Sequence, residues 1–355
     1  MAFTENIDFF LGCVGSDGFG GFFKDLQAGN AYTLYLLKAG PGCGKSTLLR
    51  KLCSQSTIPC ERIHCSSDPD CLDGVIWSKA HTAAFDATAP HCLEPLHPML
   101  NDYIVNMYNC ISPSVLGKSK SKILTVSNQC SALHKQAALH IKAASALLND
   151  NSGEIYSTID LVKIKAYTQR LIRKYFVSAF MQPAAEHRRF LSAFTPAGYV
   201  FFKDTISGCA NHIIVFHDDT GAYSSIILNA LRNEALKRNY DFYSCYCALN
   251  HKKLEHLLIP ELGLAFLTGN QWHNFNFPCQ KNIHCKRFER TAIPNISQKR
   301  IRFNKKLASS LLEHAVYSQA KAKQAHDKLE QLYRTAVDFK KVDEVSAQLL
   351  RQLHL

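Results

Sequence analysis

The chain repeats itself. Phe22-Phe23-Lys24-Asp25 recurs as Phe201-Phe202-Lys203-Asp204, a shift of 179 residues. Near the other end of the unit, Asp160, Lys163, Leu171 and Arg173 match Asp338, Lys341, Leu349 and Arg351, at a shift of 178. Between them, Cys65, Leu72, Asp73 and Ala83 find Cys247, Leu254, Glu255 and Ala265, at a shift of 182. The identities are sparse, but they keep their order and nearly one spacing. A period this long means two copies of a whole domain rather than a solenoid of small units. The 355 residues then divide into units 1–185 and 186–355, with the Pro-containing connector Gln182–Arg189 as the boundary.

Each copy reads alike. An apolar strand (Tyr32–Leu37; His212–Phe216) leads through a turn into a helix. A second strand (Glu61–Ser66; Phe242–Leu249) and a third (Thr82–Thr88; Leu262–Thr268) follow. Ala132–Leu148 and Leu307–Phe339, rich in Ala, Leu, Lys and Gln, close the copies as helical tails. Strand–helix alternation predicts an α/β fold with tandem parallel sheets.

Copy one carries Ala39-Gly40-Pro41-Gly42-Cys43-Gly44-Lys45-Ser46-Thr47 between its first strand and helix. Glycines let a backbone wrap an anion with its amide hydrogens pointing inward. The helix that follows adds its partial positive end. In such a loop Gly40 to Thr47 cradle the phosphates of a nucleotide, Lys45 reaches the β- and γ-phosphates, and the Ser46 hydroxyl ligates Mg²⁺. A second Mg²⁺ ligand is expected at the end of a neighbouring strand. Asp86 in Ala83-Ala84-Phe85-Asp86 has that place, unless it only caps a turn. Asp68, Asp70 and Asp73 follow the second strand, where open α/β sheets bind ligands. Asp68 is the candidate to orient an attacking water or hydroxyl; the competing reading of Ser67-Asp68-Pro69 is a turn opening a helix. His91 is a weaker candidate at the same edge. Cys43, inside the loop, has Lys45 and loop amides to lower its pKa.

Copy two has His217-Asp218-Asp219-Thr220-Gly221-Ala222-Tyr223-Ser224-Ser225 at the equivalent place. Aligned end to end, Tyr223 replaces Lys45, Thr268 replaces Asp86 and Asn250 replaces Asp68. Asp218 and Asp219 would repel a triphosphate. This copy reads as a pseudo-site, or as a pocket remodelled for another ligand such as a cation or amine.

These segments, with His64-Cys65-Ser66-Ser67-Asp68-Pro69-Asp70, the stretch from Asp86 to His91 and Ile259-Pro260-Glu261-Leu262-Gly263, resemble a family of uncharacterised two-lobed P-loop ATPases, found mainly in Gram-positive, often spore-forming bacteria. The resemblance covers most of the chain. It implies a tandem P-loop NTPase-like fold and ATP binding, with no named reaction. Many members keep a phosphate loop in the second lobe, and this sequence departs from them there.

Charge and composition narrow the rest. Lys and Arg number 41 against 29 Asp and Glu, a net +12. Nine of the basic residues lie between Lys281 and Lys306, with Glu289 the one acid among them. With Phe288 and Phe303 interleaved, this segment is a candidate contact for nucleic acid or an acidic partner; the plainer reading is a solvated loop entering a helix. Fourteen cysteines lack paired zinc spacing and are too few for a disulfide scaffold. No apolar run is long enough to cross a membrane. Met1 to Asp8 has no secretory signature, so the expected compartment is the cytoplasm. No guanine-reading Asn-Lys-x-Asp occurs, which favours ATP. The expectation is a Mg²⁺-dependent ATPase with one active site, in the first lobe, using Lys45, Asp68 and Asp86. The alternatives are a small-molecule or nucleoside kinase and an ATP-gated nucleic-acid-binding protein.

Overall fold

The computed structural model describes residues 5–28, 31–89, 91–177, 180, 181, 183, 185–273, 275 and 278–353. Met1–Thr4, Gln182 and Ala184 of the connector, and Pro90 lie outside them. The first copy contains β1 (Ile7–Phe10), β2 (Gly12–Gly15), β3 (Gly18–Gly21), β4 (Thr33–Lys38), α1 (Lys45–Gln55), β5 (Glu61–Cys65), β6 (Asp68–Trp77), β7 (Thr82–Asp86) and β8 (Asp102–Asn106). Its tail is α2 (Pro113–Gly117), α3 (Lys120–Tyr156) and α4 (Leu161–Tyr175). The second copy contains β9 (Glu186–Arg189), β10 (Ser192–Thr195), β11 (Gly198–Phe201), α5 (Lys203–Cys209), β12 (His212–His217), α6 (Ala222–Lys237), β13 (Phe242–Tyr246), β14 (Leu254–Ile259), β15 (Leu264–Gly269) and β16 (Lys281–His284). Its tail is α7 (Asn295–Arg334) and α8 (Phe339–Leu353).

The duplication is visible in the strand order. One six-stranded sheet runs β1-β5-β6-β7-β4-β8; the other, read from its opposite edge, runs β9-β13-β14-β15-β12-β16. Strand for strand these are the same topology, and a small hairpin (β2–β3; β10–β11) accompanies each. The sheets are mixed, not wholly parallel. β6 and β14 run antiparallel to both neighbours while the other pairs are parallel. The sequence expectation missed these two strands. Asp68-Pro69-Asp70 has turn chemistry, yet it opens the ten-residue β6.

The sheets meet edge to edge. Phe10 and Phe190, equivalent residues, exchange backbone hydrogen bonds of 2.9 Å in both directions. A pseudo-twofold axis therefore passes between them. Around it Phe9 packs on Tyr243 with ring centroids 4.9 Å apart. The Asp8 amide donates to Thr205 Oγ1 and the Thr205 hydroxyl donates to the Asp8 carbonyl, each at 2.8 Å. Glu61 of β5 and Arg189 of β9 form an ion pair of 2.9 Å with both side chains sealed from solvent.

The tails are exchanged. α3 and α7 pack along each other in antiparallel fashion, with Cys130 beside Ala322 and Ala325 at one end and Asn151 bonded to Ile301 and Asn304 at the other. Small residues (Ala137, Ala144, Ala308, Ala315, Ala322) are buried in these two helices. Beyond this pair, the last helix of each tail crosses to the other lobe. Ile164, Tyr167, Leu171 and Ile172 of α4 join the core under α6. Val342 and Leu349 of α8 join Leu48, Leu49 and Leu52 of α1. Matching backbone bonds fix both crossings. Ser112 N–H reaches Ala336 and Asp338 N–H reaches Cys110; Arg290 N–H reaches Thr158 and Asp160 N–H reaches Phe288, all at 2.8 Å. Asp160 then caps α4 by accepting from the Lys163 amide at 3.0 Å, and Asp338 bonds the first amides of α8. Among the described residues no helix is long and apolar enough to cross a membrane, and the fourteen cysteines are free.

Candidate functional site

The loop between β4 and α1 sits at the carboxyl end of the first sheet. Gly42 and Gly44 hold φ of 67° and 81°, left-handed values that cost a residue with a Cβ. Gly44 is the N-cap of α1, and no side chain caps that helix. Its first amides are thus open to an anion. The helix begins at Lys45, so the loop lysine lies in its first turn.

β7 lies beside β4 with Asp86 opposite Leu37. This register brings the Asp86 carboxylate to 3.4 Å from Lys45 Nζ. The ammonium also donates to the Gly40 and Ala39 carbonyls at 3.0 and 3.3 Å. Asp86 is oriented by the Thr88 amide, 2.9 Å away. The Ser46 hydroxyl oxygen accepts from the Leu72 amide at 3.0 Å, tying the loop to β6. Lys45 and Asp86 are thus brought together, while the Ser46 hydroxyl is engaged by β6.

The other acidic candidates separate. Asp68 pairs with Lys323 of α7 at 3.3 Å. Asp70 is exposed, and it is its carbonyl that accepts from Arg50. Asp73 stands at an irregularity of the β5–β6 ladder: Ile63 faces Gly74 and His64 faces Leu72, so Asp73 is the extra residue. Such a bulge turns a side chain out of the alternation. The Asp73 carboxylate lies 3.0 Å from His91 Nε2, with both side chains buried. Burial opposes a charge on His91, but the Asp73 carboxylate outweighs it, with Asp86 adding to the effect, so its pKa is raised. The ring lies 4.6 Å from that of Phe23 and 5.3 Å from that of Phe19. The Asp73–His91 pair is a feature that isolated sequence candidates did not reveal. Cys43 runs against expectation: burial pushes its thiol up and outweighs Lys45.

The end of α7 roofs this loop. A Cβ on Gly40 would lie 2.9 Å from the Tyr333 ring, and one on Gly42 would lie 2.9 Å from the Glu330 carbonyl and Arg334 Cγ. The Glu330 carboxyl is held below its usual range by its bond to His326, against its burial, with the Gly42 amide and Lys45 contributing. An acidic group from the second copy thus stands beside the first copy's loop. No local pattern near residue 330 signals this.

In the second lobe, Gly221 (φ 66°) is the helix N-cap, as Gly44 is in the first. This register corrects the alignment read from sequence. Ala222 takes the place of Lys45, and Tyr223 that of Ser46. Thr268 does replace Asp86, since it faces Phe216 as Asp86 faces Leu37. Asp218 is buried and turns into the loop. It accepts from the amides of Thr220 (3.2 Å), Gly221 (2.9 Å) and Ser224 (2.8 Å) and from the hydroxyls of Thr220 and Ser224. A carboxylate of the chain itself fills this nest. Asp219 lies outside, paired with Lys305 at 2.8 Å.

The basic segment is spread over β16, a short turn and the start of α7. Arg300 pairs with Asp150 and Glu154, and Lys281 and Arg287 lie over the Tyr167 ring at 5.4 and 5.5 Å. Lys305 pairs with Asp219, and Arg302 Nε donates to the Gln298 carbonyl at 3.4 Å, so at least five of its nine cations have partners among the described residues.

Compared with protein-family models, curated proteins and solved structures, the chain matches none.

Proposed function

We propose that the first lobe binds ATP with Mg²⁺ at Gly40–Thr47 and hydrolyses it. The observation that carries this reading is the juxtaposition of Lys45, in the first turn of an uncapped helix, with Asp86, 3.4 Å away at the end of the adjacent parallel strand. This is the arrangement in which a P-loop lysine and an acidic strand end serve one phosphate–metal centre.

The donor set fits Mg²⁺, because Ser46 and Asp86 offer hard oxygens. Bound there, Mg²⁺ would neutralise charge on the β- and γ-phosphates. The remaining work falls to this chain. Lys45 exchanges its bonds to the Ala39 and Gly40 carbonyls for bonds to phosphate. The amides of the loop and of α1 hold the phosphate oxygens. Asp68, paired with Lys323 of α7, orients the attacking water. The Asp73–His91 pair adds a polarised imidazole whose charge Asp86 also favours. Asp218 occupies the second nest, so one nucleotide binds per chain.

The test is a calorimetric titration with ATP and Mg²⁺. One site per chain is expected, and Lys45→Ala should abolish it; unchanged affinity in that variant, or two sites, would overturn the reading. Label from the γ-phosphate should appear in inorganic phosphate. Its appearance on a metabolite would instead make the protein a kinase. A further expectation concerns the roof. Glu330→Gln removes an anion beside the loop and should tighten ATP binding about three- to tenfold, an effect of ~1 kcal/mol for a half-screened charge.

A further inference from the structure

The second lobe holds a small cleft beside its filled loop, with Thr220, Asn250, Lys253, Glu255 and Trp272 in its wall. Asn250 and Glu255 stand where the first lobe has Asp68 and Asp73. Behind Glu255 lie His256 and His273. One ring nitrogen of each and a Glu255 carboxylate oxygen all fall within 4.8 Å of one another. We propose that Glu255, His256 and His273 bind a borderline transition cation of the Zn²⁺ class at the wall of this cleft.

Four observations converge. First, His256 Nε2 and His273 Nδ1 are buried without hydrogen-bond partners. Buried polar atoms are nearly always satisfied, so two orphan imidazole nitrogens beside one carboxylate are unusual. Second, the cluster is sealed from solvent: Glu255, His256 and His273 are all buried. Third, His273 has an outer shell. Its Nε2 lies 2.5 Å from Tyr199 Oη and 3.1 Å from Ser192 Oγ. A proton kept on Nε2 leaves the Nδ1 lone pair facing Glu255, 3.8 Å away. The Thr268 amide donates to His256 Nδ1 at 3.3 Å, and this long bond is the one that ligation by His256 would break.

Fourth, the device is built twice. Glu255 sits at the same ladder irregularity in the second sheet as Asp73 does in the first. His273 follows His91, and Cys247 follows Cys65, at the shift of 182 that relates these strands. Cys65, Asp73 and His91 form the corresponding cluster in the first lobe. The second lobe has lost the Lys45 and Asp86 equivalents but keeps the acid and the histidine, and it adds His256 where the first lobe has Gly74. Two imidazoles and one carboxylate suit zinc and its neighbours rather than Mg²⁺. Three protein donors, of which Glu255 lines the cleft, leave a coordination position open.

The experiment uses the full chain with Cys65→Ser, which removes the sulfur donor of the first cluster. Chelator-stripped protein is titrated with Zn²⁺ against a competing indicator. One zinc per chain is expected, and His256→Gln with His273→Gln should weaken binding more than 100-fold, beyond the ~10–100-fold of losing an outer-shell partner. Zinc uptake unchanged by that pair of substitutions, or no stoichiometric uptake, would overturn the proposal. If the doubly substituted protein does not fold, X-ray absorption of the zinc-loaded Cys65→Ser protein decides. A shell with two imidazoles supports the site, and a shell with fewer than two refutes it.

Discussion

Arg189→Met should destabilise the protein by about 3–5 kcal/mol, the cost of breaking one side of a buried ion pair. The guanidinium meets Glu61 across the seam between the sheets, and neither side chain has measurable access to water. Tyr243 and Ser78 donate to the same carboxylate, each at 2.9 Å. Remove the arginine and Glu61 stays as a buried anion with two neutral donors. Adding Glu61→Gln keeps an acceptor for both hydroxyls and removes the charge, so the double variant should recover at least half of the loss. Urea denaturation measures both. A loss below about 1 kcal/mol for Arg189→Met would mean that water reaches the seam. The wild type carries a related pH signature. Burial opposes the Glu61 charge, but Arg189 prevails and lowers its pKa from the ordinary 4.5. A lowered carboxyl pKa stabilises the fold fully above about 4.5 and loses that contribution as acid drives the pH down through the folded-state value.

The second large effect is expected at Asp218. Asp218→Ala should cost about 2–4 kcal/mol, because it strands amides at the N-terminus of α6 inside the protein. Asp218→Asn keeps an acceptor and should cost about half as much. The sharper readout is rescue. Phosphate should raise the melting temperature of Asp218→Ala more than that of the wild type, since the vacated amides and helix end form an anion site. Equal shifts in both proteins would reduce the effect to general salt stabilisation and would end the view of Asp218 as a resident anion.

Both positions lie partly beyond what the sequence discloses. The loop Ala39–Thr47 was legible because its glycines, lysine and serine have one shared physical purpose. The duplication was legible because apolar strands and their spacing survive divergence. Asp218 is legible only as an acid at the nest: sequence tells that a carboxylate is near, not whether it points in or out. Tyr223 was matched to Lys45 because an end-to-end alignment ignores where the helix begins, which Gly221 decides. β6 was hidden by Asp68-Pro69-Asp70, whose turn chemistry outweighs the strand pattern until Leu72. Asp73 and His91 were seen singly, since a ladder irregularity is a property of two strands. The exchange of tails had no signal at all. An amphipathic face says that a helix must be covered, not by which part of the chain.

That exchange sets an order of events during synthesis. The buried face of α1, behind the phosphate loop, is completed by Val342 and Leu349, so the first lobe cannot close before nearly the whole chain has been made. The same geometry is that of a domain-swapped dimer written in one chain: cut between the copies, it becomes two subunits that trade their last helices, with Phe10 of one meeting its counterpart in the other.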